Sequence, residues 1–525
     1  MKPTKKQLEN IILQLLKNPP ATEKDLFNSV RILAGKDKLA PPEKSSLLAA
    51  YRQLLKTKKV KSNTKIERLL IKRGVRTLSG VAVISVLTKP QSCPGECLFC
   101  PTEKNMPKSY LSNEPAVMRA ILNDFDPYRQ VKMRLAALSA NGHPTDKIEL
   151  IVMGGTWSAH SLKYQSWFIK RCLEALNGQP SKSLAQAQKQ NETAKHRLIG
   201  LTLETRPDYI NKKEIRRLRE FGCTRVELGV QHTDDKILKL NRRGHTAEQG
   251  LKAIKLLKNS GFKINLHLMP NLYGSTLQKD LKMFEKIYTD SDWMPDMVKI
   301  YPCVVNEHAD LYKLYKRGKY KPYTKKQLTD LIIKIKKITP PWVRIARLIR
   351  DIPEESIVAG NKTTNLRQLI AEQTKKDGWQ CQCIRCREAG HQNQLRITNY
   401  ELRIRKYKAS NGTEFFLSFE SIDKKILYAF LRLRLNDKPE KNFIPELKDA
   451  ALIREVHTYG QLAELGESGE VQHLGLGKKL IIEAEKIAEK NNYKKIAVIS
   501  GIGVREYYKK LGYRLADTYM VKYLK

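Results

Sequence analysis

Short apolar runs alternate with longer amphipathic stretches from Gly80 to about residue 301. The runs lie at 81–87, 148–153, 198–203, 225–230, 263–268 and 297–301. Because nearly every strand-length run is followed by a helix-length stretch, the pattern predicts parallel strands joined by helices. An open doubly wound sheet and a partial barrel both fit this alternation. Polar residues gather just after the strand ends, which favours an α/β chain with a partial (β/α)6 barrel over residues 77–370.

The regions on either side of the barrel have different patterns. Residues 1–76 place apolar side chains at helical spacing among many lysines and arginines, which indicates a small basic helical module. Residues 371–395 are a cysteine-rich connector. Residues 396–525 contain strand runs followed by a helix, a strand and a last short helix, which predicts a separate α+β domain.

Net charge narrows the choice of partner. The chain has 97 Lys+Arg against 54 Asp+Glu, a formal charge of +43. A basic excess of this size attracts phosphates by counterion release, so a polyanion is expected. Nucleic acid is favoured over a membrane surface, because no strongly amphipathic basic helix stands out and no run approaches the length of a membrane span. With no secretory pattern at its start, the chain is expected in the cytoplasm.

Three cysteines follow the first predicted strand, in the segment Cys93-Pro-Gly-Glu-Cys97-Leu-Phe-Cys100. A structural zinc normally takes four protein ligands, whereas a [4Fe-4S] cluster held by three cysteines keeps one iron free for a small molecule. The CxxxCxxC spacing resembles the radical S-adenosylmethionine superfamily, in which the free iron binds the amino and carboxylate groups of S-adenosylmethionine. A zinc knuckle that borrows a distant ligand is the alternative.

The ends of the next three predicted strands carry further candidates for contact with that cofactor. Gly154 and Gly155 follow the second strand, where the resemblance places glycines beside the methionine amino group. Glu204 and Gln231 end the third and fourth strands. Taken singly, the glycine pair could be an ordinary turn, and each polar residue could be one that is satisfied within the barrel.

A glycine-containing segment, Gln472-His473-Leu474-Gly475-Leu476-Gly477, precedes a helix in the last domain. Small residues there free backbone N–H groups to bind a diphosphate. The pattern QxxGxG between a strand and a helix resembles the coenzyme-A loop of Gcn5-related acetyltransferases; a plain glycine-rich turn is the alternative. The resemblance implies that acetyl-CoA is bound by Gln472, Gly475, Leu476, Gly477 and Lys478 and is lined by Glu455, Val456, His457 and Thr458. It also implies that the Tyr508 hydroxyl lies near the thioester sulfur.

A second cysteine group, Cys381, Cys383 and Cys386, lies in the connector. Three thiols within six residues suit a structural zinc, which needs one more ligand. Cys303, at the end of the sixth predicted strand, is the expected fourth ligand, and His391 is the alternative. A second iron–sulfur cluster is the other interpretation of this group.

An iron–sulfur radical domain followed by an acetyltransferase domain is a rare pairing. With the segments 118–120, 126–128, 151–156, 204–209, 454–457 and 519–522, the chain resembles the Elongator catalytic-subunit family from about residue 70 to 525, in a stand-alone archaeal or bacterial form. The resemblance implies modification of the tRNA wobble uridine at carbon 5. A 5′-deoxyadenosyl radical would take hydrogen from the acetyl methyl group of acetyl-CoA, and a carboxymethyl group would remain on the base.

The same resemblance supplies the remaining expectations. Lys147 corresponds to a family position associated with acetyl-CoA, although a solvated lysine fits as well. The resemblance implies that residues 1–76 are a tRNA-binding module. The expected macromolecular partner is the tRNA anticodon stem-loop, together with a second copy of the chain or accessory Elongator-like subunits. The rival function is a protein lysine acetyltransferase whose iron–sulfur domain is only a scaffold.

Overall fold

Two seven-stranded sheets and an amino-terminal group of helices make up the computed structural model, which describes residues 2–72, 79–391, 399–459 and 475–524, without the side chain of His391. No helix among these residues has both the length and the apolar character needed to cross a bilayer. The two sheets correspond to the partial barrel and the last domain that the sequence predicts.

The amino-terminal helices pack around a core of their own. They are α1 (Lys5–Lys17), α2 (Glu23–Lys36), α3 (Lys44–Lys56) and α4 (Thr64–Leu70). Capping boxes begin α1 and α2, with Thr4 and Thr22 as the capping residues. The module rests on the barrel through α3, where Arg52 Nη1 donates to the carbonyl oxygen of Ser139 at 2.7 Å. The prediction of a helical module is therefore confirmed.

The first sheet is parallel, and its strands follow one another in chain order. They are β1 (Ala82–Leu87), β2 (Lys147–Met153), β3 (Arg197–Thr205), β4 (Arg225–Gln231), β5 (Lys263–Leu268), β6 (Met297–Ile300) and β7 (Arg344–Arg347). On β2 the buried positions alternate with half-buried ones, because one face packs on the outer helices and the other faces the barrel interior. The predicted half-barrel is confirmed.

The helices of this region cover the outer face of the sheet or follow its last strands. They are α5 (Pro115–Ile121), α6 (Pro127–Ala140), α7 (Leu162–Asn177), α8 (Leu184–Asn191), α9 (Lys212–Glu220), α10 (Asp235–Leu240), α11 (Ala247–Asn259), α12 (Leu277–Thr289), α13 (Leu311–Lys316), α14 (Lys325–Ile338), α15 (Leu366–Lys376) and α16 (Ile384–Arg387). The six strands predicted from the sequence do not include residues 344–347, because this arginine-containing stretch lacks the apolar pattern of a buried strand. The structure pairs β7 with β6, and Arg344 and Arg347 line an interior cavity.

The second sheet forms the carboxy-terminal domain. Its elements are β8 (Tyr400–Lys408), β9 (Gly412–Ser421), β10 (Leu427–Asn436), β11 (Ala450–Thr458), α17 (Leu476–Lys490), β12 (Lys495–Val498), α18 (Arg505–Lys509), β13 (Arg514–Ala516) and β14 (Tyr519–Tyr523). Strands β11 and β12 are its parallel pair, and their pairing ends at Ile453 and Val498. Residues 455–458 of β11 therefore continue beyond β12, and among the described residues no strand pairs with them on that side. These four residues are here called the open part of β11.

A network of buried charges joins the two sheets. Asp296, just before β6, accepts from Arg454 Nη1 of β11 at 2.9 Å and from Lys258 Nζ at 3.3 Å. Glu414 of β9 accepts from the same Arg454 at 2.9 Å and from Arg434 Nη1 at 3.0 Å. These five side chains, here called the interdomain charge network, are buried. The neighbouring cations hold the pKa of Asp296 and Glu414 below their usual values, although burial acts in the opposite direction.

Removing one member of this network should weaken the fold strongly. We expect Asp296→Asn to lower the free energy of unfolding by about 3 kcal/mol, because it leaves Arg454 and Lys258 buried without their carboxylate. Urea unfolding followed by circular dichroism measures the change. Asp437→Asn is the control, since Asp437 pairs with Lys408 at the exposed surface and should cost less than about 1 kcal/mol. Equal effects of the two substitutions would contradict a stabilising role for the network.

Candidate active site

The first cysteine group lies at the carboxyl ends of the barrel strands. Its loop follows β1, and Cys93 Sγ is 3.6 Å from Thr156 Oγ1 in the loop after β2. On the other side of the barrel, Arg243 Nη1 donates to Cys97 Sγ at 3.0 Å. Burial and the nearby Cys97 raise the pKa of the Cys100 thiol to about 11, so this thiol needs a bound metal to be a thiolate at neutral pH.

The distances among the thiols distinguish the two cysteine groups. The Sγ atoms of Cys381, Cys383 and Cys386 all lie within 4.8 Å of one another, whereas the three cysteines at the barrel mouth do not form so tight a group. Ligands of one zinc ion must be close, with sulfurs about 3.8 Å apart for tetrahedral Zn–S bonds. Thiolates of a [4Fe-4S] cluster bind different irons and stand further apart. The barrel-mouth cysteines therefore fit a cluster, and the connector cysteines fit a single ion.

The glycine pair after β2 has two separate explanations. Gly154 has φ +127°, and a Cβ there would lie 2.1 Å from Thr88 Oγ1, so its packing against β1 already requires glycine. Gly155 has φ +94° and lines the barrel cavity. Of the two, Gly155 is the one positioned for contact with a bound molecule.

A layer of polar residues crosses the barrel interior below the cysteine loop. Glu227 of β4 forms a short ion pair with Lys299 of β6 through its Oε2 atom, and His267 Nε2 of β5 is 2.9 Å from the same oxygen. Glu204 of β3 lies 3.9 Å from Lys299 Nζ and accepts from the Tyr110 hydroxyl at 2.8 Å. We call these five residues the lumen network. Because the Lys299 ammonium group occupies the space among the carboxylates, the network is better suited to proton and charge handling than to a metal.

The two carboxylates of the lumen network have opposite protonation behaviour. Lys299 and His267 hold the pKa of Glu227 well below its usual value despite burial. Burial raises the pKa of Glu204 to about 7, and the negative Glu227 adds to that increase. Glu227 therefore carries the charge that Lys299 balances, and Glu204 can hold or release a proton near neutral pH.

Gln231, the last residue of β4, combines a strained backbone with an unused acceptor. Its φ of +71° is in the left-handed region, which non-glycine residues rarely adopt. Its side-chain Oε1 is buried and has no hydrogen-bond partner in the structure. Since Gln231 lines the barrel cavity, this acceptor is available to a bound molecule.

Two cavities meet inside the molecule. The larger, about 880 Å³, extends from Cys93, Cys97 and Cys100 through the barrel interior. The smaller, about 240 Å³, lies between the barrel and the carboxy-terminal sheet and is lined by Glu455, Val456 and His457. Both are lined by Val83, Glu149, Arg225, Met297, Arg344 and Arg385. The two cavities are therefore adjacent near the amino ends of the barrel strands.

The predicted coenzyme-A segment lies only partly within the described residues. Gln472 is outside them, whereas Gly475 caps α17 with φ +64° and Leu476 begins the helix. A Cβ at Gly477 would lie 3.6 Å from Thr458 Cγ2 and 3.9 Å from Val456 Cγ1, so the structure brings the start of α17 to the open part of β11. Lys478 is exposed beside it.

The tyrosine nearest this segment differs from the one that the sequence indicates. Tyr508 is 6% exposed and packs edge-on against Tyr507 and Tyr513. Tyr507 is 42% exposed, and its hydroxyl is 3.7 Å from the position of a Cβ at Gly477. Tyr507 therefore has the better access to a ligand there.

Glu455 and His457 line the smaller cavity, here called the interdomain cavity, and they differ in protonation state. Arg432 Nε donates to Glu455 at 3.0 Å, and Lys263 with Arg432 lowers the pKa of Glu455 to about 2. Burial lowers the pKa of His457 to about 4, and its Nε2 is buried without a partner in the structure. A neutral imidazole with a free nitrogen is thus presented to the cavity beside a fixed carboxylate.

Two predicted site residues lie away from their expected neighbours. Cys303 is not part of the Cys381 group; it packs in an apolar cluster with Leu98 and Leu311, and its thiol contacts the Tyr320 hydroxyl. The structure therefore does not support Cys303 as a zinc ligand, because β6 directs its end toward the barrel mouth. Lys147 is half-buried at the start of β2, on the same face as Glu149, but it lines neither cavity.

The sequence missed several residues that the structure brings to the site. Glu227, His267 and Lys299 are interior positions on separate strands, and only the period-two pattern of each strand could have indicated that they face inward. Arg206 belongs to the segment Glu204-Thr-Arg206-Pro, and its guanidinium lies close to Gly95 of the cysteine loop. Arg243 follows α10 and has no local signal.

A parallel half-barrel with three cysteines at its mouth defines a radical S-adenosylmethionine enzyme. Residues 88–287 match the sequence model of the Radical SAM superfamily, and residues 295–376 match that of the Radical_SAM C-terminal domain. Membership of this superfamily implies a [4Fe-4S] cluster and S-adenosylmethionine.

Comparison with whole proteins narrows the class to a family. The chain is 50% identical over 472 residues to a tRNA uridine(34) acetyltransferase of Methanocaldococcus infernus, covering 87% of this chain and 88% of the relative. It is 39% identical to human Elongator complex protein 3, with 86% of each chain covered. The solved archaeal Methanocaldococcus infernus Elp3 with N-terminus deletion (1-46) aligns with a TM-score of 0.75 at 47% identity, covering 85% of this chain and all of that one. The chain belongs to this family of tRNA uridine(34) acetyltransferases and Elongator complex protein 3.

The proton on Glu204 gives a pH-dependent prediction. A carboxyl whose pKa rises from 4.5 to about 7 on folding makes the folded state bind more protons, so its stabilising effect is present at low pH and is lost as pH rises through that window. Relative to Glu204→Gln, the wild-type protein should lose up to about 3 kcal/mol of unfolding free energy between pH 4.5 and pH 8. Urea unfolding of both proteins across this range tests it. A difference that does not change with pH would contradict the assignment.

Proposed function

We propose that this chain modifies uridine 34 of tRNA at carbon 5 and leaves there a carboxymethyl group derived from acetyl-CoA, with S-adenosylmethionine as the radical source. The observation that carries the proposal is the pair of adjoining cavities, one at the cysteine loop and one at the open part of β11. Relatives that cover most of the chain are named tRNA uridine(34) acetyltransferase, which supports the choice of substrate.

In this proposal the barrel mouth holds the radical cofactors. Cys93, Cys97 and Cys100 would hold the cluster, which with S-adenosylmethionine supplies the one-electron cleavage that starts hydrogen abstraction. Gly155 would bring its backbone close to the cofactor, Gln231 would offer its unused acceptor, and Glu204 would contact the cofactor or hold a proton beside it. The apolar cluster that includes Leu98 of the cysteine loop would help to exclude water from the reacting atoms.

Acetyl-CoA would bind on the carboxy-terminal domain. The start of α17, from Gly475 to Lys478, would take the diphosphate, and residues 455–458 would line the pantetheine arm. The acyl end would enter the interdomain cavity and reach the barrel beside Glu149 and Arg225, which form an ion pair at 2.5 Å. We retain Lys147 as a candidate contact for the acyl group or a phosphate, and Tyr508, beside the more accessible Tyr507, as a candidate near the thioester sulfur.

The tRNA would approach the barrel from its cationic side. The larger cavity is lined by many arginines and lysines, among them Arg119, Arg134, Arg344, Arg347 and Arg350. Phosphate contacts of this kind position a nucleic acid without reading its sequence. An anticodon base is single-stranded and can leave its stack to enter the cavity. The basic amino-terminal module would add further phosphate contacts, in the cytoplasm and with a second copy or accessory subunits where these are present.

The connector cysteines would hold a structural zinc. Their mutual distances suit one ion, and Lys336 Nζ donates to Cys386 Sγ at 3.3 Å, which offsets the negative charge of three thiolates. Among the described residues, no further cysteine, histidine or carboxylate joins the group. His391, whose side chain lies outside that part of the structure, remains our candidate for the fourth ligand.

Loss of one barrel-mouth cysteine should abolish the reaction. Anaerobically reconstituted protein is given S-adenosylmethionine, a one-electron reductant, isotopically labelled acetyl-CoA and tRNA, and the nucleosides are analysed by mass spectrometry. We expect label on uridine 34 with the wild-type protein and none with Cys97→Ala, because two thiolates do not hold the cluster. Cys172→Ala, a core cysteine far from both groups, should keep most of the activity.

Two outcomes of that experiment would overturn the proposal. One is unlabelled tRNA with wild-type protein whose cluster is complete. The other is acetyl-CoA turnover that tRNA does not stimulate but a protein substrate does, which would make the chain a lysine acetyltransferase.

Metal analysis tests the connector separately. We expect about one zinc and about four irons per wild-type chain, and Cys383→Ser should lose the zinc while keeping the iron. Cys303→Ser is the matched control and should keep the zinc. Zinc absent from the wild-type protein, or lost equally from both variants, would contradict the proposed site.

A further inference from the structure

We propose that Arg243 raises the reduction potential of the cluster by holding an unneutralised guanidinium group against the Cys97 ligand. The inference rests on the cluster of the proposed function and is independent of the tRNA chemistry. Arg243 contacts a cluster ligand and would change the reduction potential of the cluster through it.

The Arg243 guanidinium is fixed at the cysteine loop from several directions. Its Nη1 donates to Cys97 Sγ at 3.0 Å, and its Nη2 donates to the Gly229 carbonyl oxygen at 2.6 Å. Nη2 also lies 3.2 Å from His245 Nε2, and the guanidinium carbon is 5.9 Å from the centre of the Phe99 ring. The side chain is buried. It therefore needs little rearrangement to act on the cluster.

Among the described residues, no carboxylate forms an ion pair with Arg243. Its hydrogen-bond partners in the described residues are a thiol, a carbonyl oxygen and an imidazole nitrogen, with no carboxylate among them. The nearby Arg206 is different, because its Nε and Nη2 bind Asp208 at 2.9 and 3.0 Å. Arg206 Nη2 also donates to the Arg243 carbonyl oxygen at 2.8 Å, which holds that segment in place.

The net charge of the cluster before and after reduction gives the direction in which Arg243 shifts the reduction potential. A [4Fe-4S]²⁺ core with three thiolates carries a net charge of about −1, and one electron from an external reductant makes it about −2 with no bond formed or broken. In a buried site, a cation a few ångströms away stabilises the more negative state. A hydrogen bond to a cluster sulfur acts in the same direction. Arg243 should therefore make the cluster easier to reduce.

The chain offers a matched control in the adjacent residue. Arg242 is exposed and pairs with Asp310 at 3.1 Å, so its charge is screened by solvent and by its partner. Arg243→Gln removes the buried charge and keeps a hydrogen-bond donor, whereas Arg243→Lys keeps the charge. Together with Arg242→Gln, these two variants separate the effect of charge from that of packing.

The test is a redox titration of the full-length reconstituted protein without S-adenosylmethionine or tRNA, using dithionite and mediators, with the reduced cluster followed by electron paramagnetic resonance. We expect a lower midpoint potential for Arg243→Gln, a smaller decrease for Arg243→Lys and no change for Arg242→Gln. A midpoint for Arg243→Gln equal to wild type, or equal decreases for both Arg243 variants, would overturn the inference.

A second pair of variants covers the case in which Arg243→Gln does not retain iron. His245→Glu places a carboxylate beside the intact Arg243, and we expect it to lower the potential relative to His245→Gln. Equal potentials for this pair would also overturn the inference. A wild-type protein that holds no cluster would instead refute the proposed function.

Discussion

The buried interdomain charge network fixes the position of the barrel relative to the carboxy-terminal domain. Asp296 directly precedes β6 in the barrel, and Arg454 is in the middle of β11 in the carboxy-terminal sheet. The 2.9 Å contact between them therefore holds the two domains in one relative position. Buried charges need their partners at short range, and sliding the domains apart would leave several of them unpaired. The two cavities can therefore stay aligned without a ligand between them.

This constraint explains where the basic residues are used. Some arginines, such as Arg434 and Arg454, are committed to buried carboxylates and are not available to a substrate. Others, such as Arg347 and Arg350, pair with Asp351 and Glu114 but line the larger cavity. The net charge of +43 therefore combines structural cations with ones that can meet phosphate. The charge alone could not have distinguished these two uses.

Local patterns made much of the molecule predictable. The cysteine spacing, the strand–helix alternation and the start of α17 each lie within a short segment, where turn and period rules apply. The contacts that complete the site join distant segments: Arg243 and Cys97 are 146 residues apart. Strand β7 was missed because its arginines face a polar cavity. Cys303 was misplaced because the sequence does not show that the connector cysteines lie beside the end of α14 and the start of β7 rather than beside the carboxyl end of β6.

The two cysteine groups show why spacing alone leaves the metal open. Each group offers three thiols within a few residues, yet only the connector group holds its sulfurs within 4.8 Å. At the barrel mouth, Cys93 lies beside Thr156 and Cys97 lies beside Arg243, so the loop holds its thiols far enough apart for an iron–sulfur cluster. In the connector, the three thiols instead lie close together beside Lys336. Backbone path, rather than residue type, therefore decides whether three cysteines surround an ion or support one face of a cluster.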